Sequence, residues 1–512
     1  MNGNIVNGIP KATKLSDPQL LYINGAEVAS SNSGTFTATN PMTGKDIYAC
    51  SSASVDDYKE AILSAQTAFK TWSRTPPSAR RLIFLKAADI LDSYLEGQEH
   101  DEGADVGEIM SAEVSATKSW TTVNIKAGAG FLREAAGLVT HIKGEIVPAD
   151  RPGTTIMVLR EAVGVVFAIS PWNAPVSLAA RAIATPLICG NTVVLKPSEF
   201  SPKSQYIMVR ALAAAGLPAG CLNFLPTRPA DAALVTEVAV KHPLVRRINF
   251  TGSDRVGTII AGWAASVLKQ CVLELGGKAP VLVLEDAAIS DAVEAIAFGG
   301  LSNNGQICMS TERVIIHDTV AEELKTSLLA KVNTLKCGSQ YDDPSVALSG
   351  LYTPSSAKRV LGLVKSAIEQ GAELLTGDLE IHGQNGTILK PHILDNVTMD
   401  MEISKEESFG PIMCLYRVSS DEEAIEVANS SEFTLCSSVF SRDVLRAMGV
   451  AKQVRAGSCH INGPTVYIEA PLPNGGTGGR SGYGRFGGMA GVEEFTERKI
   501  LTLGQPGMRY PF

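Results

Sequence analysis

Apolar residues recur at three- and four-residue intervals in the N-terminal part of the chain. Two such series run through residues 55–95, namely Tyr58, Ile62, Ala65 and Phe69, followed by Leu82, Leu85, Ala88 and Leu91. Side chains at this spacing share one face of an α-helix. We therefore predict long amphipathic helices here, with both series on faces that pack against the rest of the protein.

The pattern changes to short runs of β-branched and other apolar residues after Ile156. These runs occupy residues 163–169, 192–195, 247–250 and 279–284. Turn residues and helical patterns follow them, and further helical patterns cover residues 321–335 and 356–370. Alternating strands and helices are typical of parallel sheets that helices cover. The sequence thus predicts an α/β protein with two such domains.

Two other segments depart from this alternation. Residues 154–160 have an alternating pattern that is compatible with an exposed β-hairpin covered by another subunit. Residues 475–488 are rich in glycine, which is typical of a linker, but Phe486 and the following residues 495–497 indicate ordered structure instead.

Composition narrows the class of protein. The chain has 512 residues, 45% of them hydrophobic and 19% charged, which is ordinary for a folded globular protein with two or three domains. Its formal net charge is −8 and it has no Lys/Arg run, so neither nucleic acid nor an anionic membrane is an expected partner. Residues 1–19 lack the apolar core of an export signal, and no run of ~18 apolar residues predicts a membrane span. A small molecule is the expected partner.

The cysteines indicate a reducing compartment. There are 9, scattered from Cys50 to Cys459 without a C-x-x-C pair. An odd, scattered set favours neither a disulfide framework nor a structural zinc site. We expect a cytoplasmic protein that requires no metal.

One cysteine stands in a context that suggests chemistry. Cys308 ends the segment Gly305-Gln306-Ile307-Cys308, downstream of Glu274 in Glu274-Leu275-Gly276-Gly277-Lys278. They are a candidate nucleophile and a candidate base. A single cysteine is more often a buried apolar residue, so the interpretation depends on the motifs around it.

The motifs form an ordered series. In chain order they are Pro171-Trp172-Asn173, Lys196-Pro197-Ser198-Glu199, Phe250-Thr251-Gly252-Ser253, the Glu274 segment, the Cys308 segment and Glu407-Ser408-Phe409-Gly410-Pro411. This series resembles the aldehyde dehydrogenase superfamily over residues 21–503, and the agreement of six motifs in order makes the resemblance specific.

The resemblance implies a domain plan. A Rossmann-type NAD-binding domain would comprise residues 20–142 and 164–275, and an α/β catalytic domain residues 276–474. A small oligomerisation β-element would comprise residues 143–163 and 490–512. The glycine-rich residues 475–488 would belong to a subunit-bridging arm. A homodimer or homotetramer is therefore expected.

The resemblance also implies catalytic roles. Cys308 would attack the aldehyde as a thiolate, forming a thiohemiacetal and then, after hydride transfer, a thioester. The side-chain amide of Asn173 and the backbone N–H of Cys308 would stabilise the oxyanion, although Asn173 could instead be a helix N-cap or turn residue. Glu274 would be the general base for hydrolysis of the thioester, which favours a free acid as product; a solvated charge at a strand end is the alternative.

The cofactor roles follow the same motifs. Thr251, Gly252 and Ser253, with Gly257, form a strand-turn-helix whose helix N-terminus can face a pyrophosphate. By resemblance, Trp172 lies at the cofactor, Lys196 and Glu199 bond the adenosine ribose, and Glu407 and Phe409 contact the nicotinamide ribose and ring. Because a carboxylate repels a 2′-phosphate, Glu199 favours NAD over NADP. A surface acid and a core aromatic are the alternatives for Glu407 and Phe409.

Two segments depart from the family pattern. Residues 222–231 lack the glycines that many relatives have after the corresponding strand, which leaves the adenine-side contacts open. In place of Pro-Phe-Gly-Gly-x-Lys this chain has Pro473-Asn474-Gly475-Gly476-Thr477-Gly478-Gly479-Arg480, without the lysine and with one extra residue. We expect a rearranged rim at the substrate entrance.

The local sequence resembles the branch that acts on aromatic aldehydes. Ala174 would leave room for a flat ring beside Cys308. Ser177 and Arg181 would share a helix face along the same channel, although Arg181 could equally be a salt-bridged helix residue. Further candidate pocket residues are Trp120, Ile307, Met309 and Tyr467, with core packing as the alternative for Trp120 and Tyr467.

The sequence thus predicts NAD-dependent oxidation of an aromatic or bulky hydrophobic aldehyde to its acid. A broad-specificity aliphatic aldehyde or semialdehyde dehydrogenase is the alternative within this chemistry. A non-catalytic protein that kept the fold would be expected to have lost Cys308, Asn173 or Glu274. A cysteine hydrolase is less favoured because no histidine accompanies Cys308.

Overall fold

The computed structural model describes residues 14–95 and 106–510, together with the backbone of two short strands near the N-terminus. Residues 96–105 of the predicted NAD-binding domain and residues 511–512 of the predicted oligomerisation element lie outside the described residues.

The helices cover the sheets described below. They are α1 (Val55–Trp72), α2 (Pro77–Ser93), α3 (Val106–Val114), α4 (Lys118–Leu138), α5 (Pro175–Ile188), α6 (Pro202–Ala215), α7 (Pro229–Lys241), α8 (Asp254–Ala265), α9 (Ile289–Leu301), α10 (Ala321–Asn333), α11 (Pro354–Glu369), α12 (Glu402–Lys405), α13 (Asp421–Asn429), α14 (Val444–Ala451) and α15 (Gly488–Glu494).

The strands are β1 (Ile5–Val6), β2 (Ile9–Pro10), β3 (Leu21–Ile23), β4 (Ala26–Val28), β5 (Thr35–Thr39), β6 (Asp46–Ser51), β7 (Glu145–Val147), β8 (Thr154–Ala162), β9 (Val165–Ile169), β10 (Thr192–Lys196), β11 (Leu222–Phe224), β12 (Val245–Thr251), β13 (Gln270–Glu274), β14 (Ala279–Val283), β15 (Thr311–His317), β16 (Glu373–Thr376), β17 (His392–Asp395), β18 (Ile412–Val418), β19 (Cys436–Phe440), β20 (Ser458–Ile461) and β21 (Thr496–Gly504). β1 pairs with β2 and β5 with β6, both antiparallel.

The two predicted amphipathic helices form as α1 and α2. Ser54 and Asp57 cap the start of α1 reciprocally, which satisfies backbone N–H groups that the helix leaves free. In α2 the buried apolar stripe includes Phe84, Ala88 and Leu91. Leu82 is 67% exposed, so its predicted place on the packed face is wrong: two residues before Phe84, it points to the opposite side of the helix.

A seven-stranded sheet carries the first α/β unit, in the order β13-β12-β9-β10-β11-β3-β4. The five strands from β13 to β11 are parallel, and β3 and β4 add antiparallel strands at one edge. α2, α4, α5 and α6 cover one face and α1, α7 and α8 the other. The order reverses at β9, which has β10 on one side and β12 on the other. Sheets of this kind bind ligands at such a reversal, beyond the carboxyl ends of the strands.

A second seven-stranded sheet carries the other α/β unit, in the order β16-β17-β18-β15-β14-β19-β20. All neighbouring pairs are parallel except β16 with β17. α9 and α10 cover one face, and α11, α13 and α14 cover the other. The predicted α/β class is confirmed; the exact domain boundaries remain a prediction.

The third sheet contains the three strands β21-β8-β7, all antiparallel. β7 and β8 form the hairpin that the alternating pattern predicts. Several apolar side chains of this sheet are exposed, including Ile146 of β7 at 79% and Ile500 and Leu503 of β21 at 67% and 63%.

The glycine-rich residues 475–488 are ordered, and they fold against their own chain. The Ser481 hydroxyl donates to the Gly276 carbonyl at 2.7 Å and accepts from the Thr434 N–H at 2.8 Å. The positive φ angles of its glycines let the chain follow the surface of the core closely. That this segment belongs to a subunit-bridging arm remains a prediction.

Candidate active site

Residues from four separate motifs meet at the carboxyl edge of the first sheet. β9 leads into residues 171–173 and β12 into residues 251–253, while β10 ends at Lys196 and β13 at Glu274. These strands are parallel neighbours, so their carboxyl ends lie side by side. The fold thereby gathers residues that are about a hundred positions apart in sequence.

Cys308 follows a turn with unusual backbone geometry. The φ angles of Asn303, Asn304 and Gly305 are 48°, 57° and 70°, all in the left-handed region. Asparagine tolerates this region, and glycine occupies it freely. A Cβ on Gly305 would lie 2.1 Å from the carbonyl oxygen of Gly410, so no side chain fits there. The turn holds Cys308 at the lining of the central cavity.

The thiol of Cys308 contacts the carboxylate of Glu274. Cys308 Sγ lies 3.2 Å from Glu274 Oε1. Burial raises the pKa of the Cys308 thiol to about 12, the positive charge of Arg181 lowers it, and Glu407 raises it further. The thiol is therefore protonated at neutral pH in this structure, and Glu274 is the group positioned to accept its proton.

Arg181, predicted to line the substrate channel, forms an ion pair with Glu274. Its Nη2 forms an ion pair with Glu274 Oε2, and the two side chains are 4% and 1% exposed. The same nitrogen donates to Thr251 Oγ1 at 3.1 Å, and the guanidinium lies 4.5 Å from the centre of the Phe486 ring. The salt-bridged alternative thus describes Arg181. Ser177 has a different partner, because its Oγ donates to Asn124 Oδ1 at 3.3 Å.

Asn173 is fixed by hydrogen bonds on both sides. Its Nδ2 donates to the backbone oxygen of Gln306 at 2.9 Å, and its own backbone oxygen accepts from Trp120 Nε1 at 2.9 Å and from Asn303 Nδ2 at 3.1 Å. It is not the helix cap, because α5 begins at Pro175 after Ala174. An amide nitrogen has two N–H donors, so one remains for a substrate oxygen.

Three aromatic rings line the cofactor side of the cavity. Trp172 stacks on Tyr352 with ring centres 3.8 Å apart, and meets the ring of Phe409 edge-on at 5.7 Å. Phe409 has a φ of 49°, which is unusual for a residue of its size. Sequence reasoning missed Tyr352 because it belongs to none of the motifs.

Glu407 and Phe409 are held by a buried ion pair. Lys278 Nζ lies 2.6 Å from Glu312 Oε2, and the two side chains are 0% and 3% exposed. The Glu312 carboxylate also accepts the backbone N–H of Ser408 at 2.9 Å and of Phe409 at 3.3 Å. The pair therefore joins the turn after Glu274, the strand after Cys308 and the loop of Glu407. Sequence reasoning gave Glu312 no role.

Glu407 is itself close to the turn after Glu274. Its Oε1 accepts the backbone N–H of Gly277 at 2.8 Å. Burial raises the pKa of Glu407 to about 8, and the negative charge of Glu312 raises it further. At neutral pH Glu407 is therefore mainly protonated.

The start of α8 fits a diphosphate. Ser253 is the N-cap, and its Oγ accepts the N–H of Val256 at 3.4 Å. A Cβ on Gly257 would lie 2.5 Å from the Leu275 side chain, so this glycine lets α8 approach the sheet. Backbone N–H groups and the helix dipole at this end attract anions.

Lys196 and Glu199 follow β10 on the same edge of the sheet. Lys196 is buried, which lowers its pKa, while the charge of Glu199 opposes that effect. Neither residue lines the central cavity. β10 is next to β9, the strand that leads to Trp172, and two strands from β12, the strand that leads to Ser253.

A cavity of about 570 Å³ joins these groups. Its lining runs from Asn173 and Cys308 past Trp172 and Phe409 to Ser253. The volume suits a ligand of nucleotide size, and it connects a helix N-terminus with a thiol. The residues present therefore fit a nicotinamide dinucleotide.

Comparisons with known proteins agree with this geometry. Residues 28–501 match the model of the aldehyde dehydrogenase family. The chain is 44% identical to a vanillin dehydrogenase of Pseudomonas fluorescens and 43% identical to a salicylaldehyde dehydrogenase of Pseudomonas putida, each match covering 96% of this chain and 99% of the relative. The crystal structure of a salicylaldehyde dehydrogenase from Pseudomonas putida G7 complexed with salicylaldehyde superposes with a TM-score of 0.93 at 42% identity, over 97% of this chain and 100% of that one.

The chain belongs to the aldehyde dehydrogenase family. The predicted family is thus confirmed, and the protein is an aldehyde dehydrogenase enzyme.

An apolar cluster lies beside Cys308 in this aldehyde dehydrogenase. Ile307 and Met309 are buried in it, and Trp120 packs against it together with Cys308. Ala174, just before α5, is half-buried next to Asn173. That these residues line a substrate pocket remains a prediction.

Tyr467 lies outside this cluster. Its neighbours Val466 and Ile468 pack against the cluster, whereas Tyr467 is 46% exposed. Its hydroxyl donates to Glu469, and its ring meets His460 edge-on at 5.4 Å. The predicted place of Tyr467 in the pocket wall therefore stays a prediction.

Two further observations concern the described residues. None of their helices is long and apolar enough to cross a membrane. Asp378, Glu380 and His382 lie close enough together to hold a metal ion, but Lys390 Nζ already neutralises Asp378 at 2.7 Å. That no metal is needed remains a prediction.

Proposed function

We propose that this aldehyde dehydrogenase oxidises aromatic aldehydes to carboxylic acids with NAD. The contact of 3.2 Å between Cys308 Sγ and Glu274 Oε1 is the observation that carries the proposal, since it pairs a nucleophile with a base at the end of a cofactor-sized cavity. The matches to vanillin and salicylaldehyde dehydrogenases support a ring-bearing substrate.

The reaction begins with activation of the thiol. Glu274 accepts the proton of Cys308, and the sulfur then forms a bond to the carbonyl carbon of the aldehyde. The charge of Arg181 favours the thiolate, and the same guanidinium forms an ion pair with the carboxylate of Glu274.

The negative charge then moves to the aldehyde oxygen. The free N–H of Asn173 and the backbone N–H of Cys308 are the donors for it. Both are fixed in advance, Asn173 by bonds to Gln306, Trp120 and Asn303, so little reorganisation accompanies the step. Collapse of this oxyanion releases hydride and leaves an acyl thioester on Cys308.

NAD, when bound, accepts the hydride. Ser253 and the N-terminus of α8 would hold its diphosphate, and Trp172, Glu407 and Phe409 would border its nicotinamide half. By resemblance, Glu199 would accept hydrogen bonds from a free ribose hydroxyl and repel a 2′-phosphate, which supports NAD over NADP.

Hydrolysis completes the cycle. Glu274 first releases to solvent water the proton that it took from Cys308. It then takes a proton from the attacking water, the hydroxide oxygen bonds to the acyl carbon, and the sulfur leaves as the thiolate. The product is a free carboxylic acid. Glu274 thus acts twice, once on the thiol and once on water, and it lies within reach of Cys308 for both steps.

The apolar cluster at Cys308 supports an aromatic substrate. Trp120, Ile307 and Met309 offer flat and apolar surfaces to a ring, and Ala174 has no bulk that would block one. Arg181, the cation predicted to meet the substrate, is committed to Glu274 instead. Binding by apolar contact should therefore tolerate different ring substituents.

The test is the absorbance of reduced nicotinamide during turnover. The purified protein receives NAD or NADP and, in turn, benzaldehyde, salicylaldehyde, vanillin, octanal and succinic semialdehyde. We expect turnover mainly on the ring aldehydes with NAD, and none in Cys308→Ala. Preference for octanal or the semialdehyde would replace the aromatic assignment by the aliphatic alternative.

We also propose that the enzyme assembles as a homodimer or homotetramer in the cytoplasm. The exposed apolar residues of β7 and β21, among them Ile146 and Ile500, support burial of this sheet against another subunit. The nine free cysteines support a reducing compartment. Light scattering after size exclusion gives the mass directly; a monomer would contradict the assembly.

A further inference from the structure

Arg480 belongs to the segment that departs from the family pattern, and it binds two carboxylates. Its Nε donates to Asp254 Oδ2 at 2.6 Å, while Nη1 and Nη2 donate to Glu406 Oε1 and Oε2 at 3.0 and 2.8 Å. Nη1 also donates to the Lys405 backbone oxygen at 3.2 Å, and the guanidinium lies 4.5 Å from the centre of the Phe433 ring. Every nitrogen of the guanidinium therefore has a partner.

These residues stand at the cofactor cavity; the rearranged rim expected at the substrate entrance remains a prediction. Arg480, Asp254 and Glu406 all line the cavity, together with Ser253. Asp254 is the first residue of α8, and Glu406 directly precedes Glu407. The side chain of Arg480 thus joins the helix that faces the diphosphate to the loop at the nicotinamide half.

The charges here would oppose an anionic ligand without Arg480. An acid at the start of a helix is favourable for the helix itself, but at this place it competes with a diphosphate for the same N–H groups and dipole. Glu406 brings a second negative charge, and its hydrogen bonds with Arg480 lower its pKa, so it is ionised at neutral pH. Both carboxylates are partly exposed to the cavity, at 28% and 44%.

We propose that Arg480 is a positioning residue of the cofactor site. It neutralises Asp254 and Glu406 and turns them away from the diphosphate, and it fixes α8 relative to the loop of Glu407. This inference rests on the proposed function, in which NAD occupies the cavity. The arginine of the altered segment then serves the cofactor.

The experiment measures the dissociation constant of NAD by quenching of tryptophan fluorescence, since Trp172 lines the cavity. We expect Arg480→Gln to raise this constant about tenfold at low salt, a change that corresponds to about 1.4 kcal/mol. Because repulsion between exposed charges is screened by salt, the ratio to the unaltered protein should fall towards one at high ionic strength. Arg480→Gln with Asp254→Asn should recover part of the affinity, because one of the two unpaired carboxylates, the one at the start of α8, is gone.

The matched control is Arg446→Gln. Arg446 also binds a carboxylate with two nitrogens, at 2.7 and 2.8 Å to Asp421, and its side chain is 29% exposed against 26% for Arg480. It does not line the cavity, so its loss should leave the dissociation constant within twofold. Arg480→Lys keeps the charge and should fall between the unaltered protein and Arg480→Gln.

Three results would overturn the inference. One is an unchanged dissociation constant in a folded Arg480→Gln protein. Another is a loss that salt does not reduce and that Asp254→Asn does not repair, since that would be a structural defect. If the unaltered protein binds neither NAD nor NADP, the proposed function fails and this inference fails with it, so the two failures are distinguishable.

Discussion

Replacing Arg181 by Gln should suppress the reactivity of Cys308. Burial raises the pKa of this thiol, the charge of Arg181 opposes that rise, and the resulting pKa is about 12. An opposite charge at a few ångströms typically shifts a pKa by about 1 to 3 units. Below its pKa, a thiol loses tenfold in thiolate for each unit of rise.

The assay is the rate of alkylation of Cys308 by iodoacetamide at pH 8, followed by peptide mass mapping. We expect Arg181→Gln to react about 10- to 100-fold more slowly than the unaltered protein, which corresponds to a rise of about 1 to 2 units in the pKa of Cys308. Arg247→Gln is the control, because Arg247 is equally buried, at 4% exposed, and pairs with Glu497 at 2.8 Å away from the cavity. Equal rates in both variants would refute the role of Arg181.

The remaining predictions concern single groups of the site. Asn173→Ala should lower kcat by about 10²- to 10³-fold in the absorbance assay, because one oxyanion donor is lost; a loss below threefold would speak against that role. Glu312→Gln leaves the buried ammonium of Lys278 without its counter-charge, which costs about 3–5 kcal/mol, so the melting temperature should fall. Adding Lys278→Met should restore part of the lost stability, and no recovery would count against the ion pair. The pKa of Glu407 is raised from 4.5 to about 8, so between these values the folded state holds a proton that the unfolded state lacks, and stability falls as the pH rises across that window. The melting temperature should therefore fall less from about pH 5 to about pH 8 in Glu407→Gln, and parallel curves would contradict this.

The sequence predicts the meeting of the motifs because the physics behind it is regular. Once β9, β12 and β13 are parallel strands, residues after their carboxyl ends must lie at one edge, and Asn173, Ser253 and Glu274 do so. The family resemblance then supplies roles that periodicity alone does not contain.

The sequence does not predict which side chains contact each other in the site. Spacing puts Ser177 and Arg181 on one face of α5, but it does not fix the rotation of α5 against β13, which decides that Arg181 meets Glu274. Tyr352 enters the cavity through a loop without a motif, and Glu312 pairs with Lys278 only because two strands of the second sheet are neighbours. Such contacts depend on packing between distant segments, which local sequence patterns do not record.

The glycine-rich segment shows the same limit. A linker, a bridging arm and an ordered cover for the cavity share one composition. The segment is ordered because Ser481 and Arg480 bond to Gly276 and Asp254, and these partners are in place only in the folded protein.

The most direct test of the account is to trap the acyl enzyme. The unaltered protein is mixed with NAD and benzaldehyde, quenched in acid during turnover, and digested for mass mapping. We predict a benzoyl group on the peptide that contains Cys308 and on no other cysteine peptide. Turnover without any acylated cysteine, or a benzoyl group on a different cysteine, would contradict the central claim that Cys308 carries the reaction.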